Sequence, residues 1–148
     1  MKICLTCSGG GHLTEILQLL PIVKNYDFFF FTFDTGHARM TLKKVRSYFT
    51  IDPLRKPFKM LKVIYDSLLI FLKEKPDVII STGANVTVPM CLIGKLCGSK
   101  LIYIECSAQV FRPSLSGRIL YRFSDLFFVQ WKYLKKYYKN AIYGGNLL

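Results

Sequence analysis

Short apolar runs alternate along this chain with stretches of helical spacing, and no other feature restricts its fold so tightly. Ile3 to Cys7, Phe28 to Phe33, Val78 to Ser81, Lys100 to Glu105 and Leu126 to Gln130 are near-continuous apolar runs, the kind buried on both faces of a sheet. Between them, Leu13 to Val23, Phe58 to Lys73, Val86 to Leu96 and Ser116 to Phe123 have helical spacing or length. This alternation predicts a parallel sheet with helices on both faces, a doubly wound α/β fold with Rossmann-like order. Pro76-Asp77 ahead of a strand, Gly98 behind a helix and Pro113-Ser114 ahead of another helix mark boundaries. Arg39 to Lys56 is less legible: it holds either a short helix and a strand at Tyr48 to Ile51, or a partly mobile stretch. No repeat or linker divides the 148 residues, so residues 1–148 are expected to form one domain.

Composition narrows the class. With 51% hydrophobic and 20% charged residues, the chain has ample apolar surface to offset the entropy of ordering, which excludes disorder. Its longest apolar stretches fall short of the ~18–20 residues that span a bilayer. Met1 to Leu5 runs directly into a strand without the succession of a secretory signal, so a cytoplasmic location is expected. Five cysteines, an odd number within apolar segments, suit reduced, buried thiols, and Cys4 and Cys7 should point to opposite faces of one strand.

Twenty-one Lys and Arg against nine Asp and Glu give a net charge of +12, which predicts a negatively charged partner. The cations gather at Lys43, Lys44, Arg46, Arg55, Lys56, Lys59 and Lys62, and again at Lys132, Lys135, Lys136 and Lys139. Phe58 to Lys73 has an apolar arc of Phe58, Leu61, Ile64, Leu68, Phe71 and Leu72 opposite Lys59, Lys62 and Lys73. Two readings stay open: the arc packs on the sheet beneath a solvated face, or Arg55, Lys56, Phe58, Lys59 and Lys62 meet an anionic membrane surface. No nucleic-acid motif is present, so nucleic acid is not an expected partner.

Ligands of open α/β sheets bind beyond the carboxyl ends of the strands. The first strand leads into Ser8-Gly9-Gly10-Gly11-His12-Leu13-Thr14; glycines there let backbone approach a phosphate or diphosphate, and the new helix offers its free N–H groups. Ser8, Gly9, Gly10, Gly11 and Thr14 are therefore candidate substrate-binding residues. A second loop, Ser81-Thr82-Gly83-Ala84-Asn85, adds Gly83 and Asn85. His12 is a candidate general base, a hydrogen-bond donor to a phosphate, or a helix cap. Glu105 either acts on sugar hydroxyls or orients a base, or caps its loop. His37 is a weaker candidate. Gly9-x-Gly11 with Asp34 also fits a free-standing nucleotide- or NAD-binding protein, although Thr14 stands where that fingerprint needs Gly or Ala. Neither a metal nor an organic cofactor is expected.

Together, Cys7-Ser8-Gly9-Gly10-Gly11-His12, Asp77 to Asn85, Ile104-Glu105-Cys106-Ser107, Ser116 to Tyr121 and Asp125 to Trp131 span nearly the whole chain and carry a resemblance. The chain resembles the acceptor-side subunit of the two-chain N-acetylglucosaminyltransferase that elongates dolichol-linked oligosaccharide. It looks closer still to bacterial capsule and exopolysaccharide proteins that enhance a separate glycosyltransferase chain. The glycine loops are also similar to the amino-terminal half of the transferase that adds N-acetylglucosamine to the lipid-linked peptidoglycan precursor, a two-domain GT-B enzyme.

This resemblance implies the amino-terminal half of a GT-B fold, acting as a non-autonomous subunit of a UDP-sugar-dependent hexosyltransferase in capsule or exopolysaccharide biosynthesis. It implies a lipid-diphosphate-linked saccharide acceptor held here, a partner chain carrying the nucleotide sugar across a shared cleft, and peripheral attachment to the inner face of the cell membrane. Gly9 to His12 fall on the first family loop, Gly83 and Asn85 on the second and Glu105 on the acidic position, and His12 or Glu105 is the catalytic candidate to position or deprotonate the attacking sugar hydroxyl. The chain departs from the peptidoglycan relative at Ala84, where a second glycine is usual, and in lacking the His and Asn that flank the acid.

Overall fold

The computed structural model describes residues 1–54 and 56–148. Seven parallel strands form one sheet in the order β3-β2-β1-β4-β5-β6-β7. In chain order they are β1 (Lys2–Thr6), β2 (Asp27–Phe33), β3 (Ser47–Thr50), β4 (Val78–Ser81), β5 (Lys100–Ile104), β6 (Leu126–Val129) and β7 (Ile142–Tyr143). The helices are α1 (Gly11–Leu17), α2 (Leu20–Val23), α3 (Gly36–Thr41), α4 (Pro57–Glu74), α5 (Val88–Leu96) and α6 (Leu115–Leu120). The chain builds outward from β1 to β3, then returns to place β4 on the other side of β1. The order reverses between β1 and β4, where α/β sheets open a crevice.

Strand side chains alternate between two cores, as a period of two requires. Cys4, Phe29, Phe31, Ile79, Leu101 and Tyr103 meet residues of α4, α5 and α6 on one face. Ile3, Leu5, Cys7, Phe30, Ile80 and Ile104 meet α1, α2 and α3 on the other. Cys4 and Cys7 thus lie on opposite faces, and burial pushes the Cys7 thiol up to about 12. Cys97 departs from the expectation of buried thiols: it is exposed at the end of α5. The helix expected over Leu13 to Val23 is two helices, since the Pro21 ring would clash with the carbonyl four residues back. Arg39 to Lys56 holds the end of α3 and then β3, and the two-residue β7 had no run long enough to predict it. Over β5 and β6, the α1 face leaves an apolar groove of about 390 Å³ lined by Leu19, Ile22, Ile102, Leu126, Phe128 and Leu147.

Asp125 ties the amino end of β5 to α5, accepting from Lys95 Nζ (2.6 Å), Lys100 Nζ (3.1 Å) and the Leu101 amide (2.9 Å). The Lys95 bond, followed by the Leu101 amide, holds its carboxyl far below the usual carboxylate range. A folded-state pKa below the unfolded value of about 3.9 gives stability that is complete above that value and is lost as pH falls from it through the lower folded-state value. Asp125→Asn is expected to cost about 1 kcal/mol at pH 7 after solvent screening, about 2–4 °C in Tm. The difference from the parent should shrink progressively as pH falls below about 4 in thermal melts across pH.

Candidate active-site cleft

The loops after β1, β4 and β5 converge on a cleft of about 430 Å³, lined by His12, Ala84, Asn85, Cys106, Gln109 and Ser114 among others. Its first wall is the glycine loop. Gly10 adopts φ 85° to open α1, a conformation glycine enters without steric cost. No atom would lie within 4 Å of a Cβ added at Gly10 or Gly11, so this bend is open rather than sealed. Gly9 is packed: a Cβ there would meet Thr35 Oγ1 at 2.9 Å.

His12 begins α1 and is locked to the β4 loop by two reciprocal bonds. Its Nδ1 lies 2.7 Å from the Thr82 carbonyl oxygen, while Thr82 Oγ1 donates to the His12 carbonyl at 2.9 Å. A carbonyl only accepts, so Nδ1 carries the proton and Nε2 of the neutral ring is the acceptor. Nε2 has no hydrogen-bond partner among the described residues. The ring fits because Gly83, at φ 103°, has no side chain: a Cβ would lie 2.8 Å from Tyr103 Oη and 3.5 Å from His12 Cε1. Asn85 lines the cleft with its side-chain amide unpaired by other described residues.

Ala84 sits at φ 82°, ψ 155°, a region essentially reserved for glycine and costing about 1–3 kcal/mol for other residues. Ala84→Gly is expected to stabilise the fold by about 1 kcal/mol, relief of strain exceeding the added unfolded-state entropy. Differential scanning calorimetry should read a Tm higher by about 2–4 °C.

Behind His12 lies a buried acid that no sequence motif singles out. Glu15 is 1% exposed. Its Oε1 accepts from the Ser107 amide at 2.7 Å and from Gln130 Nε2 at 3.3 Å. Its Oε2 is buried without a hydrogen bond, 3.8 Å from His12 Nδ1. The i, i+3 spacing of His12 and Glu15 places both on one helix face, and that was the available signal. His12, Glu15 and Cys106 offer ligand-type atoms within 4.8 Å of one another, a mixed N, O, S set of the kind zinc takes. His12 Nδ1, however, is committed to Thr82. Burial, reinforced by the Glu15 and Glu105 carboxylates, pushes the Cys106 thiol up to about 11, so it is protonated at neutral pH.

Glu105 does not line the cleft. Its side chain is fully buried, with Oε1 accepting from the Cys106 amide (3.2 Å) and Oε2 from the Ser114 amide (3.2 Å) and Tyr138 Oη (2.9 Å). The physical reason is Gly117, whose missing side chain leaves the slot that Glu105 Oε2 fills. Of the two roles left open by sequence, this geometry supplies the loop anchor. Burial, with the adjacent Glu105 charge, raises the Tyr138 hydroxyl well above its ordinary value, so it donates.

Ser8 is buried at the loop base, and Thr14 is exposed on α1 with its hydroxyl 3.4 Å from the Gly10 carbonyl oxygen. His37 is exposed on α3. Asp34 is gripped by Arg39 through Nε at 2.5 Å and Nη2 at 2.6 Å, which occupies the carboxylate that a ribose would need.

On α4 the buried residues are Val63, Ser67, Phe71 and Glu74, so most of the apolar arc does not pack on the sheet, the first of its two readings: Phe58 is 85%, Leu61 62% and Leu72 55% exposed. Lys56 and Lys62 are exposed beside them, Lys59 is half-buried, and Arg55 lies outside the described residues. No helix of the described residues is long and apolar enough to cross a membrane.

A family model described as "Oligosaccharide biosynthesis protein Alg14 like" matches residues 50–147. The human UDP-N-acetylglucosamine transferase subunit ALG14 is 27% identical over 186 residues, covering 100% of this chain and 83% of the relative. The UDP-N-acetylglucosamine--N-acetylmuramyl-(pentapeptide) pyrophosphoryl-undecaprenol N-acetylglucosamine transferase of Clostridium perfringens is 31% identical over 154 residues, covering 94% of this chain and 42% of that one. Among solved structures, Acinetobacter baumannii MurG superposes with a TM-score of 0.75 at 18% identity, covering 90% of this chain and 43% of its own. MnaA of S. aureus with UDP gives 0.73 at 15% identity, with coverages of 99% and 44%. The chain thus spans less than half the length of these structures. At these identities the likeness shows the fold, that of the Rossmann-like amino-terminal half of a GT-B glycosyltransferase.

Proposed function

The chain belongs to the Alg14-like family of oligosaccharide biosynthesis proteins, and on that premise we propose that it is the acceptor-binding subunit of a two-chain glycosyltransferase in bacterial capsule or exopolysaccharide assembly. One domain, residues 1–148, holds a lipid-diphosphate-linked saccharide. A partner chain brings the nucleotide sugar across the cleft. Coverage supports the division: the chain matches most of a relative named as a transferase subunit, and less than half of a transferase not so named.

The observation that carries this reading is His12, held by Thr82 with Nε2 unpaired at a polar cleft beside an open glycine loop. The diphosphate lies against Gly9, Gly10 and Gly11, within reach of Ser8 and Thr14, where backbone N–H groups and the helix end favour anions. Gly83 and Asn85 shape and bond the sugar. Nε2 takes the proton of the acceptor hydroxyl as its oxygen bonds the anomeric carbon of the donor sugar. The bond from that carbon to the nucleoside diphosphate breaks, and the diphosphate leaves with the electron pair. Glu105 serves by fixing the wall between Cys106 and Ser114. The groove over β5 and β6 is the partner's seat, since a half-enzyme presents apolar surface to its mate.

Attachment to the inner face of the cell membrane runs through α4. Phe58, Leu61 and Leu72 supply apolar area, and Arg55, Lys56, Lys59 and Lys62 each add about 1 kcal/mol near anionic lipid. In vesicle sedimentation, Phe58→Asp with Leu61→Asp is expected to weaken binding to anionic vesicles at least tenfold; equal binding by both proteins would remove α4 from the account. The function itself is tested by sugar transfer to a lipid-diphosphate saccharide, using the chain alone and with the product of its neighbouring reading frame. Full activity from the isolated chain would defeat the two-chain reading.

A further inference from the structure

The proposed proton transfer leaves one buried carboxylate behind the base without a role. Glu15 sits on α1 one turn after His12, 1% exposed, yet only Oε1 is engaged. Oε2 has no hydrogen bond and lies 3.8 Å from the ring nitrogen that faces Thr82. An unpartnered buried carboxylate oxygen is costly. Its position beside the one ring that can change charge at the cleft gives that cost a use. The other titratable groups around His12 are the Cys106 thiol and the Tyr103 hydroxyl, both raised by burial, and the Glu105 carboxylate, which is bound to Ser114 and Tyr138. Glu15 is thus the carboxylate free to answer a proton arriving on His12.

We propose that Glu15 is a positioning residue for His12. Its Oε1 bonds fix α1 against the segments following β5 and β6, and its Oε2 lies 3.8 Å from Nδ1 of the ring that becomes an imidazolium when Nε2 takes the acceptor proton. This inference rests on the proposed function for its kinetic consequence, though not for its geometry. Once Nε2 is protonated the ring carries one positive charge, and the nearest carboxylate oxygen is held where little water screens it. Thr82 sets which nitrogen carries the resting proton, while Glu15 stabilises the charge that follows. The same side chain ties the cleft to Gln130, which donates to the Glu105 carbonyl and accepts from the Leu147 amide, so α1 cannot shift without disturbing both walls.

Glu15→Gln keeps an oxygen for Ser107 and removes the charge. In the partner-supported transfer assay it is expected to lower kcat at least tenfold with KM for the acceptor within about twofold. Glu15→Asp, which keeps the charge but withdraws it by one methylene, should lower kcat less; it is the variant to read if Glu15→Gln does not fold. On a His12→Ala background the Glu15→Gln loss should disappear, because the effect passes through the ring. An unchanged kcat in folded Glu15→Gln, or an undiminished loss without His12, overturns the proposal. The isolated chain provides a readout that needs no transfer activity: the His12 ring N–H proton resonance should move upfield in Glu15→Gln. If the parent mixture transfers no sugar, the functional reading fails, and this resonance alone decides on Glu15. An unmoved signal rejects it.

Discussion

His12→Ala is expected to lower partner-supported sugar transfer by about 10²–10⁴-fold, the usual worth of a positioned general base. The loss should fall on kcat, since Nε2 contributes at the moment a proton leaves the acceptor hydroxyl, while the diphosphate keeps its glycine loop. Thermal stability should change little: the ring is partly exposed, and its bond to the Thr82 carbonyl is the only one it makes within the described structure. His12→Asn is a useful companion, because its amide can still donate to Thr82 but supplies no base. Asn should be as inactive as Ala. If either variant retains more than about a tenth of parental kcat, His12 is a structural hinge between α1 and the β4 loop and proton transfer is managed elsewhere.

The second large effect is on stability and is expected far from any ligand. Gly117→Ala should cost about 3 kcal/mol or more, because an added Cβ overlaps Glu105 Oε2 and comes within 2.6 Å of Tyr138 Oη and 2.9 Å of Ser114 Oγ. Overpacking a filled site costs about 1–3 kcal/mol, and disturbing hydrogen bonds to a buried carboxylate adds about 1.5–3 kcal/mol. For a domain of this size that is a fall of roughly 6–12 °C in Tm. Gly11→Ala is the control, with nothing within 4 Å of its Cβ and an ordinary φ, so its Tm should stay within about 2 °C of the parent. Equal melting of all three proteins would mean that the Glu105 slot can relax and that the acid does not anchor the loop.

Much of the fold was legible because strands buried on both faces leave continuous apolar runs. Val78 to Ser81 is the observed β4, and Ser114 caps α6 where Pro113-Ser114 signalled a start. What failed to read were features decided by distant partners. The apolar arc of α4 is real in the sequence, but periodicity does not say which side the sheet covers, and the sheet takes Val63, Ser67, Phe71 and Glu74 instead. Glu105 stands at the end of β5 as expected; its inward turn depends on a glycine twelve residues later and a tyrosine beyond β6. Within the cleft, the glycine loop, His12 and Asn85 were readable from local chemistry. Glu15 was not, because an acid on a helix face is ordinarily solvated and only tertiary packing buried this one. Gly83 was readable as a loop residue, but its closeness to Tyr103 and His12 needed the β4 and β5 registers.

In the proposed enzyme the acceptor and donor sites lie on different chains, with the acceptor on this one. Calorimetric titration of the isolated chain with a water-soluble, short-chain polyprenyl diphosphate saccharide, and separately with UDP-sugars, tests that division directly. Saturable binding of the diphosphate saccharide, weakened at least tenfold by bulky substitution at Gly10 and Gly11, with no comparable binding of the UDP-sugars, is the expected outcome. Tight binding of a UDP-sugar with none of the diphosphate saccharide would contradict it.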